Sequence, residues 1–221
     1  LDSREYAKEH KYDFYSHVIA GKHIGSTKDA IFMAGSPGAG KTEVATELLS
    51  FYHNMVIIDA DRFREGFPTY NGANSSEFQS GASWLVGDIF NRVSDEGYSL
   101  LLDGTFALAS ASKNIEKVLK LNYNVSIYYV YQDPMIAWEF VQQREKVEGR
   151  NVPKERFINA YFMARHNLIK VKEKYGDQVE INILFKDFQN QISETHADTE
   201  NIQMILPELY TKAYLEENLH D

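Results

Sequence analysis

The segment GSPGAGKT, Gly35 to Thr42, follows directly on the apolar run AIFMA and opens a helix-forming stretch. No other feature restricts the fold so far, because the pattern G-x-x-x-x-G-K-S/T between a strand and a helix is a phosphate cradle. Phosphates need many donors at close range. Glycines let consecutive backbone N–H groups turn inward, and the following helix presents its positive end to the same point. Gly35, Ser36, Pro37, Gly38, Ala39, Gly40, Lys41 and Thr42 are therefore expected to hold the phosphates of a nucleotide. Lys41 adds a cation and Thr42 a magnesium ligand. The alternative is a glycine-rich strand-to-helix turn that binds nothing, and the strand-loop-helix placement weighs against it.

Beyond residue 30 short β-branched or aromatic runs alternate with longer helical stretches, which predicts a parallel sheet. Strands are expected at Ala30–Ala34, Met55–Asp59, Tyr98–Leu102, Val125–Tyr131 and Val179–Leu184. Each is apolar on both faces, as a covered parallel strand must be. Helices are expected at Lys41–Phe51, Ser75–Glu96, Ser112–Leu121, Pro134–Glu148 and Pro153–Lys174. Asp133-Pro134 gives the fourth a capping carboxylate and a proline in its first turn, and Gly149 a left-handed stop. The expected fold is α/β: a mostly parallel sheet of about five strands with helices on both faces, a P-loop kinase fold with a helical lid. One domain is expected over residues 1–221, with a helical flank at 1–28 (Arg4 to Ala20) and a C-terminal helix at 198–218.

The second strand ends in IDADRFRE, with Asp59 and Asp61 at the sheet edge where ligands bind in open α/β folds. Transfer of a phosphoryl group to a hydroxyl needs a carboxylate to accept the proton. Asp61 is the candidate base, and Asp59 the candidate ligand of magnesium or its waters. Alternatively Asp61 only caps the short helix. The third strand ends in Asp103-Gly104-Thr105, where Asp103 and Thr105 can meet metal-bound water or a substrate hydroxyl, or form an ordinary turn.

QQREKVEGRNVPKERF places Arg144 near the end of one helix and Arg150 in the connection to the next. Planar guanidinium forks on such a lid suit the charge of a phosphoryl transition state. The competing reading pairs Arg144 with the helix dipole and surface acids. Arg64 can reach substrate phosphates or form a helix-face ion pair, and His166 reads as a packing histidine. Residues Phe67 to Trp84 suit a loop that stacks on a base or sugar and equally suit a plain surface loop.

The formal net charge of −9 repels polyanions, so a broad nucleic-acid interface is not expected. No apolar run approaches the ~20 residues of a membrane span. With no cysteine there is no thiolate nucleophile or sulfur-ligated zinc. The expected location is the cytoplasm.

Taken together in their order and spacing, GSPGAGKT, IDADRFR, LLDGT and REKVEGRNVPKE resemble the zeta-toxin family of P-loop kinases over roughly Asp29 to Leu168. The resemblance implies ATP- and magnesium-dependent phosphorylation of the 3'-hydroxyl of the amino sugar in UDP-N-acetylglucosamine. It also implies a small-molecule UDP-sugar substrate and an inhibitory antitoxin protein. Lys41 would match the family's P-loop lysine, Asp61 its proton acceptor, Arg144 and Arg150 its two transition-state arginines, and Asp103 its sugar-contacting acid. A kinase for another small molecule or nucleotide, or a nucleotide-gated binding protein, would use the same cradle.

Overall fold

The computed structural model describes residues 2–220. Helices α1 (Ser3–Glu9) and α2 (Lys11–Ile19) precede strand β1 (Asp29–Ala34), which feeds α3 (Lys41–Phe51). Then follow β2 (Val56–Asp59), α4 (Ala60–Glu65), α5 (Gln79–Glu96), β3 (Leu100–Asp103), α6 (Ala111–Lys120) and β4 (Asn124–Tyr131). The lid helices α7 (Pro134–Glu148) and α8 (Lys154–Tyr175) lead to β5 (Val179–Lys186), β6 (Ile192–His196), α9 (Ile202–Ile205) and α10 (Lys212–Asn218).

The strands form one sheet in the order β2-β3-β1-β4-β5-β6. β1 is central, pairing in parallel with β3 (Ala30 beside Leu100) and with β4 (Asp29 beside Asn124). Its alternation divides the core as a two-residue period requires. Phe32 and Ala34 pack with Leu85, Ile89 and Phe90 of α5, while Ile31 and Met33 pack with Val44 and Ala45 of α3. The chain runs from β1 out to β2, returns through β3, then crosses to β4 on the other side of β1. Such a reversal opens a crevice at the carboxyl ends of the strands, and β1 delivers the phosphate loop there.

The fold is the expected α/β P-loop architecture, with differences in detail. The sheet has a sixth strand, β6, antiparallel to β5. It is an exposed edge strand of sequence ISETH with one apolar residue, so no hydrophobic period marks it. The expected C-terminal helix is two short helices, α9 and α10, with Pro207 between them, where a missing N–H and a fixed φ oppose a continuous helix. The N-terminal flank is likewise two helices, broken at His10. In addition, Ser75–Phe78 forms a 3-10 turn, so α5 starts at Gln79.

The lid pair has its own apolar seam. Trp138 and Val141 of α7, Phe157 and Tyr161 of α8, and Leu215 of α10 share one cluster. Trp138 Nε1 donates to the carbonyl of His220 at 2.7 Å and Lys154 Nζ to that of Leu219 at 3.0 Å, so the C-terminal segment ties the two lid helices together. Asp133 caps α7 through the Met135 N–H at 2.9 Å, and Gly149 ends it at φ 72°. No helix among the described residues is long and apolar enough to cross a membrane.

Candidate active site

The loop from Gly35 to Gly40 leaves the end of β1 and turns into α3. Its first N–H, on Gly35, donates to the carbonyl of Thr105 at 3.1 Å, so the segment after β3 anchors the phosphate loop through its backbone. Gly38 has φ +75°, and a Cβ there would lie 2.2 Å from the carbonyl oxygen of Ala137 in α7. Both the conformation and the close approach require glycine. Gly38→Ala is therefore expected to lower stability by about 1–3 kcal/mol and to weaken nucleotide binding. Calorimetric unfolding with and without ATP checks this, and an unchanged melting temperature in both conditions would contradict it.

Lys41 donates through Nζ to the carbonyl of Ser36 at 2.7 Å, curling over the loop it belongs to. Burial pulls its pKa down to about 8, opposed chiefly by the negative charge of Asp103. Thr42 Oγ1 donates to Asp103 Oδ2 at 3.4 Å. Asp103 and Asp59 are register partners at the ends of adjacent parallel strands, so sheet pairing itself sets the two acids side by side. Burial pushes the Asp59 carboxyl up to about 6, with the charge of Asp61 adding to it, and burial also raises Asp103, opposed first by Lys41.

The two acids differ in what they already do. Asp59 Oδ1 accepts the Asp61 N–H at 2.9 Å, so Asp59 is the cap of α4, the role the sequence left open for Asp61. Asp103 instead reaches the Thr42 hydroxyl. A hydroxyl with neighbouring carboxylates whose ionisation burial disfavours is a hard-oxygen set that suits magnesium, which keeps most of its ligands as waters and phosphate oxygens. Thr42 and Asp103 could hold such an ion, with Asp59, the ligand expected from the sequence, beside them. Among the described residues no three His, Cys, Asp or Glu side chains converge as a self-sufficient metal cage.

Asp61 is the second residue of α4, two past its cap, and three arginines surround its carboxylate. Arg64 pairs with Oδ1, and Arg150 pairs with Oδ2 across 89 residues of sequence. Arg144 Nη2 stands 3.7 Å from the same Oδ2 while its Nε holds Glu148 at 2.7 Å. Arg62 is mostly exposed and only approaches Asp59, at 4.0 Å. The lid arginines thus come to the candidate base from α7 and from the connection after Gly149. Of the two roles the sequence left open for Arg64, substrate contact or helix-face ion pair, the structure shows the ion pair, with the side chain turned inward and buried.

The remaining sequence candidates fall elsewhere. Thr105 Oγ1 accepts the Ala107 N–H at 3.3 Å, and its carbonyl serves the phosphate loop. In the 67–84 segment Phe67 and Phe78 are buried in the main core and committed to packing, while Tyr70, edge-on against Phe78, and Trp84 are half-buried against the same core. His166 is exposed on α8 and not a packing residue. Sequence reasoning missed Gln79, which accepts from Arg64, since nothing in the spacing of residues on two separate helices signals that contact.

The zeta toxin family model matches residues 16–199, which include every side chain of this cluster. The chain belongs to the zeta toxin family. It is similar to Toxin PezT of Streptococcus pneumoniae serotype 4 (strain ATCC BAA-334 / TIGR4), 29% identical over 154 residues that cover 62% of this chain and 61% of that protein. It is also similar to Toxin zeta of Streptococcus pyogenes, 26% identical over 101 residues, 42% of this chain and 35% of that protein. These matches span less than two thirds of either relative. Among solved structures, that of the PezAT toxin-antitoxin system of S. pneumoniae superposes with a TM-score of 0.68 at 18% identity, covering 98% of this chain and 92% of that one. An AvrRxo1-ORF1:-ORF2 complex with ATP superposes at 0.60 and 11% identity, covering 88% and 64%. At these identities the likeness of this zeta toxin family chain to both structures is one of fold.

Proposed function

We propose that this zeta toxin family protein is a kinase that transfers the γ-phosphoryl group of ATP to a hydroxyl of a UDP-activated amino sugar, the 3'-hydroxyl of UDP-N-acetylglucosamine. The observation that carries the reading is the placement of one carboxylate, Asp61, beside the phosphate cradle and within a ring of arginines drawn from α4 and the lid. Phosphoryl transfer asks for that arrangement: a proton acceptor and positive charge around the migrating group. ATP as donor is supported by the cradle and by the ATP-bound neighbour of the same fold.

In this scheme the loop amides and Lys41 hold the β- and γ-phosphates, and the lid arginines draw the γ-phosphoryl oxygens toward Asp61. The acceptor hydroxyl gives its proton to Asp61 as its oxygen bonds to phosphorus, and the bond from phosphorus to the β–γ bridging oxygen breaks to leave ADP. A magnesium ion at Thr42 and Asp103 would supply charge neutralisation on the phosphates. The relatives named as toxins, and the neighbour named as a toxin-antitoxin system, support an antitoxin partner that keeps the activity in check. Action in the cytoplasm follows from the intracellular supply of nucleotide and sugar substrates.

Lys41→Ala is expected to weaken ATP binding and to lower transfer by about a hundredfold or more, the usual scale for removing one positioned charge from such a site. Steady-state assays with purified protein check this, and an unchanged rate would remove the loop from the mechanism.

A further inference from the structure

The two oxygens of Asp61 are held by cations of very different freedom. Oδ1 belongs to Arg64, whose side chain is only 4% exposed and sits on the same short helix. The other terminal nitrogen of Arg64 donates to Gln79 Oε1, and Gln79 Nε2 donates in turn to Ser83 Oγ at 2.8 Å, one turn further along α5. Oδ2 belongs to the lid: Arg150 is 25% exposed and Arg144 50% exposed. A guanidinium clamped between two helices keeps its place, whereas one on a connection can follow a ligand.

Burying Arg64 is costly. Its Nε is buried with no hydrogen-bond partner, and desolvation lowers its pKa even with Asp61 opposing. A buried ion pair with an unsatisfied donor is a poor source of stability and a good source of fixed geometry. The sequence left substrate contact open for Arg64 beside a helix-face ion pair, but a buried side chain with two partners already inside the protein is not placed to meet substrate.

We propose that Arg64, braced by Gln79 and Ser83, is a positioning residue that fixes Oδ1 of Asp61 so that Oδ2 alone takes the proton of the acceptor hydroxyl. The inference rests on the kinase reading with Asp61 as base. Before nucleotide binds, the lid arginines occupy Oδ2. The γ-phosphate, with more negative charge than one carboxylate, draws Arg150 and Arg144 to itself and leaves Oδ2 open, while Arg64 keeps the carboxylate from turning after them. In transfer the acceptor oxygen bonds to phosphorus, its proton passes to Oδ2, and the bridging oxygen leaves with ADP.

The test compares wild type with Arg64→Met, Arg64→Lys and Gln79→Leu for kcat, KM of the acceptor, Kd of a fluorescent ATP analogue, and melting temperature. Arg64→Met is expected to lower kcat by about a hundredfold, the scale of a small misplacement of a reacting group. The acceptor KM and nucleotide Kd should stay within about twofold. Arg64→Lys should restore part of the loss, and Gln79→Leu should show the same pattern more weakly. A folded Arg64→Met with wild-type kcat, or a loss confined to KM or Kd, would overturn the proposal. Should Arg64→Met fail to fold, Gln79→Leu decides, and an unchanged kcat there overturns it. Failure of the kinase reading looks different: wild type itself would transfer no phosphate, and the proposal would fall with it.

Discussion

Asp61→Asn is expected to reduce phosphoryl transfer by about a thousandfold while ATP affinity stays within about twofold of wild type or tightens. Asparagine keeps the shape of the side chain and removes its ability to take a proton. The phosphate loop has no bond to Asp61, so its amides and Lys41 remain in place. Loss of the carboxylate also releases Arg150 and Arg144 from Oδ2, which makes them more available to a nucleotide. Rapid-quench measurement of product with parallel calorimetric titration of ATP separates the two effects. Normal turnover in Asp61→Asn would remove the base assignment, and a loss confined to ATP binding would make Asp61 a structural acid.

The second large effect is expected from Arg150→Ala, a fall in kcat of about a thousandfold, in the range known for arginines that stabilise a transferring phosphoryl group. Arg144→Ala should cost less, because Arg144 is shared with Glu148 and stands further from Asp61. The difference between the two variants is the informative quantity. Arg150 enters from the connection after Gly149, where the backbone has φ 72° and packs closely against Ala73, so its approach is set by a defined turn. Equal and small effects of both variants would mean that these arginines only neutralise Asp61 in the resting protein.

Much of the fold was legible because its strands are buried on both faces and its helices carry end signals. Lys41–Phe51 and Pro134–Glu148 have the expected bounds, the first set by the loop glycines and the second by Asp133-Pro134 and Gly149. β6 was illegible because an exposed edge strand needs no apolar period. The site was legible where it follows strand ends, since Asp59 and Asp103 meet through register alone. It was illegible where side chains choose among partners. Which acid caps α4 and which one faces Thr42 are choices among neighbouring carboxylates, and whether Arg64 points out or in depends on packing between α4 and α5 that no spacing rule carries.

The match over residues 16–199 covers the phosphate loop, both strand-end acids and both lid arginines, so chemistry and family are read from the same residues. The acceptor is where they part. Phe67 and Phe78 of the 67–84 segment are packed inward, while Tyr70 and Trp84 are half-buried against the same core and keep part of their surface exposed.

The most direct measurement is a transfer assay with purified protein, ATP and magnesium against a panel of UDP-sugars and free sugars, read by mass spectrometry. The expected result is an ATP-dependent gain of one phosphate on UDP-N-acetylglucosamine that disappears in Asp61→Asn. ATP binding without phosphate gain on any UDP-sugar would contradict it.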